Sequence, residues 1–73
     1  MDQRLETFLT VCATMNYRKA AEQLHLTQPA VTKQIQALEA LYGVRFFTYD
    51  SRKLRKTAQG ETLEIYAISQ RYQ

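Results

Sequence analysis

Gln28, Pro29, Thr32, Lys33 and Gln36 fall on one side of a helix that would begin just after Thr27, because positions three and four apart share a helical face. These side chains have the chemistry to address nucleobase edges. Gln bonds adenine in bidentate fashion, Lys reaches O6 and N7 of guanine, and Thr or Pro offers apolar contact to a thymine methyl. Thr27 adds a hydroxyl at the helix start, where backbone N–H groups without carbonyl partners favour a phosphate. The opposite side holds Val31, Ile35 and Leu38, which would turn the polar residues outwards. Any solvent-facing helical surface is polar, however, so spacing alone leaves this reading open.

The distribution of charge bears on it. Residues 45–56 carry Arg45, Arg52, Lys53, Arg55 and Lys56 against Asp50, a net of +4, and residues 17–33 carry Arg18, Lys19 and Lys33 against Glu22, a net of +2. The remainder carries −3, which leaves the chain at +3. Such segregation marks a surface for a polyanion. A basic hairpin also blocks edge-to-edge strand pairing, so by itself it has a plainer explanation.

Four helices and one hairpin must position these residues. The first helix is expected from about Gln3 to Met15, with Asp2 as cap, Leu5, Phe8, Leu9 and Cys12 on its apolar face, and Asn16 as its stop. A shorter helix follows from about Arg18 to Leu24, with Tyr17, Ala20, Ala21 and Leu24 at helical spacing and His25-Leu26 as a tight connection. The Ala pair lets a neighbouring helix approach closely. The third helix is capped by Thr27, has Pro29 in its first turn and ends at Gly43. Val31, Ile35, Leu38 and Tyr42, with Leu41 alongside, mark its buried stripe. From Val44 to Lys56 the pattern changes towards period two, with Asp50-Ser51 as turn chemistry, and reads as a two-stranded hairpin. Strand alternation would let at most one of Phe46 and Phe47 stack on single-stranded bases while the other packs inwards, with Phe47 expected in the core.

Thr57 caps a fourth helix running to the chain end, with two apolar stripes. Leu63, Tyr66 and Ala67 would close the core, while Ile65, Ile68 and Tyr72 line a second face with nothing left to cover it. A partner subunit is the expected cover. Two short helices and a tight turn followed by a hairpin describe a mainly α, winged helix-turn-helix fold: three helices, a two-stranded wing and a C-terminal linker helix.

Other classes find no support. The chain has 73 residues, 45% apolar, with two Gly, one Pro and one Cys, which argues against disorder or a collagen-like chain. No apolar run approaches the roughly 18 residues of a membrane span, and the acidic start Met1-Asp2-Gln3-Arg4 is no secretory signal. With a lone Cys12, these features place the expected location in the cytoplasm. No cofactor and no metal are expected, because Cys12 and His25 are the only soft ligands whereas structural zinc takes four. Ser51 and Ser69 have no base partner, and Glu61 and Glu64 face bulk water. No enzyme is expected.

The run Ala20-Ala21-Glu22-Gln23-Leu24-His25-Leu26-Thr27-Gln28-Pro29-Ala30-Val31-Thr32-Lys33-Gln34-Ile35 strongly resembles the signature of LysR-type transcriptional regulators. Leu38-Glu39, Leu41, Gly43-Val44, Phe46-Phe47, Thr57 and Gly60 are similar to the same family. The resemblance implies a bacterial regulator whose N-terminal domain binds double-stranded promoter DNA as a homodimer. Gln28, Pro29, Thr32 and Lys33 match its base-reading positions, and Arg52 and Lys53 match wing positions that reach the adjacent minor groove. Arg18 stands where the family usually has Ser or Thr, implying a lost cap and a gained phosphate-binding charge; Lys19 and the Thr27 hydroxyl are expected to hold the DNA backbone beside it. Tyr49 replaces a common Arg, Lys56 a common Leu and Gln59 a common Ala. Residues 1–58 are then the DNA-binding domain and residues 59–73 the start of a dimerisation helix. A small-molecule effector is expected only on a C-terminal domain beyond this sequence. The rival reading is a winged-helix interaction module whose basic wing contacts an acidic partner.

Overall fold

Each helix starts at a side chain that accepts a hydrogen bond from its first turn. In the computed structural model, which describes residues 2–72, Asp2 caps α1 (Gln3–Thr14), Asn16 caps α2 (Tyr17–Leu24), Thr27 caps α3 (Gln28–Tyr42) and Thr57 caps α4 (Ala58–Arg71). The expected end of the last helix at Gln73 lies outside the described residues. Strands β1 (Phe47–Asp50) and β2 (Lys53–Lys56) form an antiparallel hairpin between α3 and α4, which completes a mainly α, winged helix-turn-helix fold.

Asn16 therefore starts α2 rather than stopping α1. Its Oδ1 accepts the Lys19 N–H at 3.0 Å, while α1 ends at Met15 in the left-handed region, φ 49°. Arg18 costs the helix no cap, because the capping residue lies two positions earlier. His25 and Gly43 end α2 and α3 in the same left-handed conformation. The α2–α3 turn is thus set by backbone geometry at a residue that carries a side chain.

Phe8, Val11, Ala20, Val31 and Ala67 are fully buried, with Ile35, Leu38, Phe46 and Phe47 nearly so. Ala20 and Ala21 sit in this core between the helices that flank α2, as small residues at a helix crossing should. Four residues depart from the expected pattern. Tyr42 is 52% exposed and Tyr66 50% exposed, because both helices run past the edge of a thin core; Leu41 is exposed as well. Phe46 is buried along with Phe47, since β1 begins only at Phe47 and strand alternation does not govern the residue before it. The Phe8 ring meets both, at centroid distances of 5.4 Å.

The wing's register pairs Phe47 with Lys56, Tyr49 with Leu54 and Asp50 with Lys53. Asp50 thus closes the ladder, and the turn is Ser51-Arg52, with φ of 52° and 65°. Positive φ at both central residues is the two-residue loop that matches strand twist. At the wing's root, the Thr57 N–H donates to the Phe46 carbonyl at 3.0 Å and the Thr57 hydroxyl donates to the Arg45 carbonyl at 2.6 Å. Gly60 in the first turn of α4 leaves room for this. A Cβ there would lie 2.5 Å from the Phe46 carbonyl oxygen.

Gly60→Ala should therefore destabilise the domain by about 1–3 kcal/mol despite the better helix propensity of Ala. Thermal unfolding should show a fall of roughly 4–8 °C for each kcal/mol. Burial, helped by the Glu64 charge, pushes the Cys12 thiol up to about 12. Folded protein should resist thiol reagents at pH 8 and react once unfolded. The unfolded thiol titrates near its ordinary 9.0, so this group's contribution to stability is complete below pH 9 and is lost as pH rises towards 12.

Candidate nucleic-acid interface

Burial of Val31, Ile35 and Leu38 fixes how α3 is rotated. Gln28, Pro29, Lys33 and Gln36 are consequently exposed and Thr32 half-buried. Gln28, Pro29, Thr32 and Lys33 line one shallow surface depression, and Gln36 lies one turn further along. A second constraint was not legible in the apolar pattern. The wholly buried Thr7 hydroxyl donates to Oε1 of Gln34, bonding α1 to α3 across 27 residues of sequence. The signal available was weak, namely that Thr7 and Val11 stand four apart beside the expected stripe of α1.

The start of α3 offers fewer backbone donors than a generic helix. Pro29 has no N–H and the Ala30 N–H is taken by Thr27 Oγ1 at 3.2 Å, which leaves the amides of Thr27 and Gln28.

Arg52 and Lys53 are exposed at the wing tip. Arg18, Gln28, Tyr49 and Arg52 line a single cleft between the helix pair and the wing, so the start of α3 and the wing face the same side. The wing's free charge is smaller than its sequence count of +4. Lys56 Nζ donates to Glu64 Oε1 at 2.6 Å in a largely shielded pair, a bond that raises the Lys56 pKa. This pair also accounts for a Lys at that position, and it corrects the expectation that Glu64 faces bulk water. Arg45 Nε lies 3.6 Å from Glu39. Arg52, Lys53 and Arg55 remain directed to solvent. Arg18 meets Glu22 at 2.7 Å with both side chains about 63% exposed, an arrangement that contributes little to stability and yields readily to another anion. Lys19 is exposed on the next position.

Glu39, the other residue that spacing did not reveal, joins α3 to the wing. Its shielded Oε2 accepts the Phe46 N–H at 2.7 Å. Tyr17 packs edge-on against Phe47 at 6.3 Å, and burial, with the Glu39 charge next, pushes its hydroxyl up to about 12. On α4, Ile65, Ile68 and Tyr72 are all exposed. Among the described residues no helix is long and apolar enough to cross a membrane, and no group of three His, Cys, Asp or Glu is placed to hold a metal ion.

Residues 3–61 match the family model described as bacterial regulatory helix-turn-helix protein, lysR family. The chain is 48% identical over 63 residues to the HTH-type transcriptional regulator HdfR of Escherichia coli, covering 86% of this chain and 23% of HdfR. It thus spans about a quarter of the curated relatives it matches. A LysR-family transcriptional regulator from Eggerthella lenta superposes with a TM-score of 0.88 at 54% identity, covering 94% of this chain and 97% of that one. The CbnR_DBD–DNA complex gives 0.86 at 36% identity, with coverage of 94% and 80%. The BenM_DBD complex with catB site 1 DNA gives 0.87 at 33%, with coverage of 94% and 79%.

Glu39→Ala would leave the Phe46 N–H without its acceptor and should cost about 1–3 kcal/mol. Hydrogen exchange at the Phe46 amide should accelerate more than exchange in the middle of α1. Equal acceleration at both places would mean that Glu39 does not hold the wing root.

Proposed function

Because the chain belongs to the LysR family of bacterial regulatory helix-turn-helix proteins, we propose that this domain binds double-stranded promoter DNA sequence-specifically, as a homodimer, within a transcriptional regulator. The start of α3 enters the major groove, where Gln28, Pro29, Thr32, Lys33 and Gln36 meet base edges. Arg18, Lys19 and Thr27 hold the sugar-phosphate backbone beside it. Arg52 and Lys53 reach the adjacent minor groove, whose negative potential is enhanced where it narrows. The action is binding rather than catalysis.

The observation that carries this reading is the common orientation of α3 and the wing, whose residues Gln28 and Arg52 line one cleft. A polar helix start beside cationic side chains suits a duplex, which presents base edges and phosphates within a few ångströms of each other. The CbnR and BenM domains of like fold, both in complexes with DNA, support it.

Residues 1–58 act as the DNA-binding unit and residues 59–73 begin the linker helix, through which Ile65, Ile68 and Tyr72 meet a second copy. Their exposure as a cluster of large apolar side chains supports this pairing. A small-molecule effector would act on a further C-terminal domain of the regulator, in the cytoplasm where the DNA is.

The test is retention of genomic fragments in a mobility-shift assay with competitor DNA. Gln28→Ala and Lys33→Ala should each cost about 1–3 kcal/mol on a selected fragment and relax preference at particular base pairs. Lys53→Ala should weaken all duplexes alike and reduce the slope of log K against log salt by about 0.9. Unchanged selectivity in Gln28→Ala would overturn the assignment of α3, and no retention even at low salt would favour an acidic protein partner instead.

A further inference from the structure

Phe47 and Tyr49 lie on the same face of β1, since strand side chains alternate, yet their surroundings differ. Phe47 is sealed in the core, whereas Tyr49, two residues nearer the tip and opposite Leu54, clears the edge of the core and is 68% exposed. Its ring stands over the cleft shared with Arg18 from α2, Gln28 from α3 and Arg52 from the wing tip. No carboxylate lines this cleft among the described residues. Its polar side chains, namely the guanidinium groups of Arg18 and Arg52, the amides of Asn16 and Gln28 and the phenols of Tyr17 and Tyr49, all carry hydrogen-bond donors, which suits an oxyanion.

We propose that Tyr49 is a DNA-backbone contact whose hydroxyl donates to one phosphate of the strand passing between α3 and the wing, with Arg18 and Arg52 supplying the charge. This rests on the function proposed above. If α3 occupies a major groove and the wing the neighbouring minor groove, the ridge between those grooves is a single sugar-phosphate strand. A cleft bounded by α3 on one side and the wing on the other must straddle that ridge. Tyr49 then acts as a neutral donor between two cations, and it adds affinity without releasing a further counterion.

Duplex affinity measured against salt for the wild-type chain, Tyr49→Phe and Tyr49→Arg tests this. Tyr49→Phe keeps the ring and removes only the hydroxyl. It should weaken a selected fragment and an unrelated duplex equally, by about three- to tenfold, the net worth of one ordinary hydrogen bond at a solvent-exposed site. Its salt slope should match wild type. Tyr49→Arg should steepen that slope by about 0.9, one more phosphate neutralised. Unchanged affinity in Tyr49→Phe, a loss confined to the selected fragment, or an unchanged slope in Tyr49→Arg would each overturn the contact while leaving the general reading intact. Absence of duplex binding by the wild-type chain would overturn both.

Discussion

The backbone of Phe46 is held from two directions. Its N–H is bonded by Glu39 near the end of α3, and its carbonyl accepts the Thr57 N–H and presses against Gly60 at the start of α4. The hairpin has too few strands to be stable alone, so its position relative to α3 derives from this junction and from the Phe46 and Phe47 rings packed on Phe8. The surface shared by α3 and the wing exists only while that junction holds.

Charged residues divide into two populations with different duties. Glu39 and the Lys56–Glu64 pair are shielded from solvent and bind parts of the fold together. Arg18, Lys19, Lys33, Arg52 and Lys53 are exposed, where solvent screening makes them cheap to place and easy to redirect. The sequence count of basic residues in the wing does not separate these duties, and only Arg52, Lys53 and Arg55 of its five belong wholly to the second.

Features governed by neighbours a few positions away were readable from the sequence: the caps Asp2, Thr27 and Thr57, the stop at Gly43 and the buried stripe Val31, Ile35 and Leu38. The candidate site was readable for the same reason, since Gln28, Pro29, Thr32, Lys33 and Gln36 are what that stripe leaves outside. Asn16 misled because the same residue type ends one helix and begins another. Tyr42 and Tyr66 misled because periodicity specifies a face but not how far the core extends beneath it. Thr7–Gln34 and Glu39–Phe46 are contacts between distant residues or across a turn, with no periodic trace. The cleft that gathers Tyr49 with Arg18 and Gln28 exists only once three elements are assembled.

Three tight reversals among the described residues place Met15, His25 and the Ser51-Arg52 pair in the left-handed region, where glycine would be the easy choice. Each such residue carries backbone strain of about 1 kcal/mol, yet glycine would give the unfolded chain more freedom to lose on folding, by a somewhat smaller amount. The entropy saved therefore offsets only part of the strain at these corners. A protein with only two glycines thus bends repeatedly at modest cost, and apart from Gly43 it keeps a side chain at each of these left-handed corners for evolution to vary.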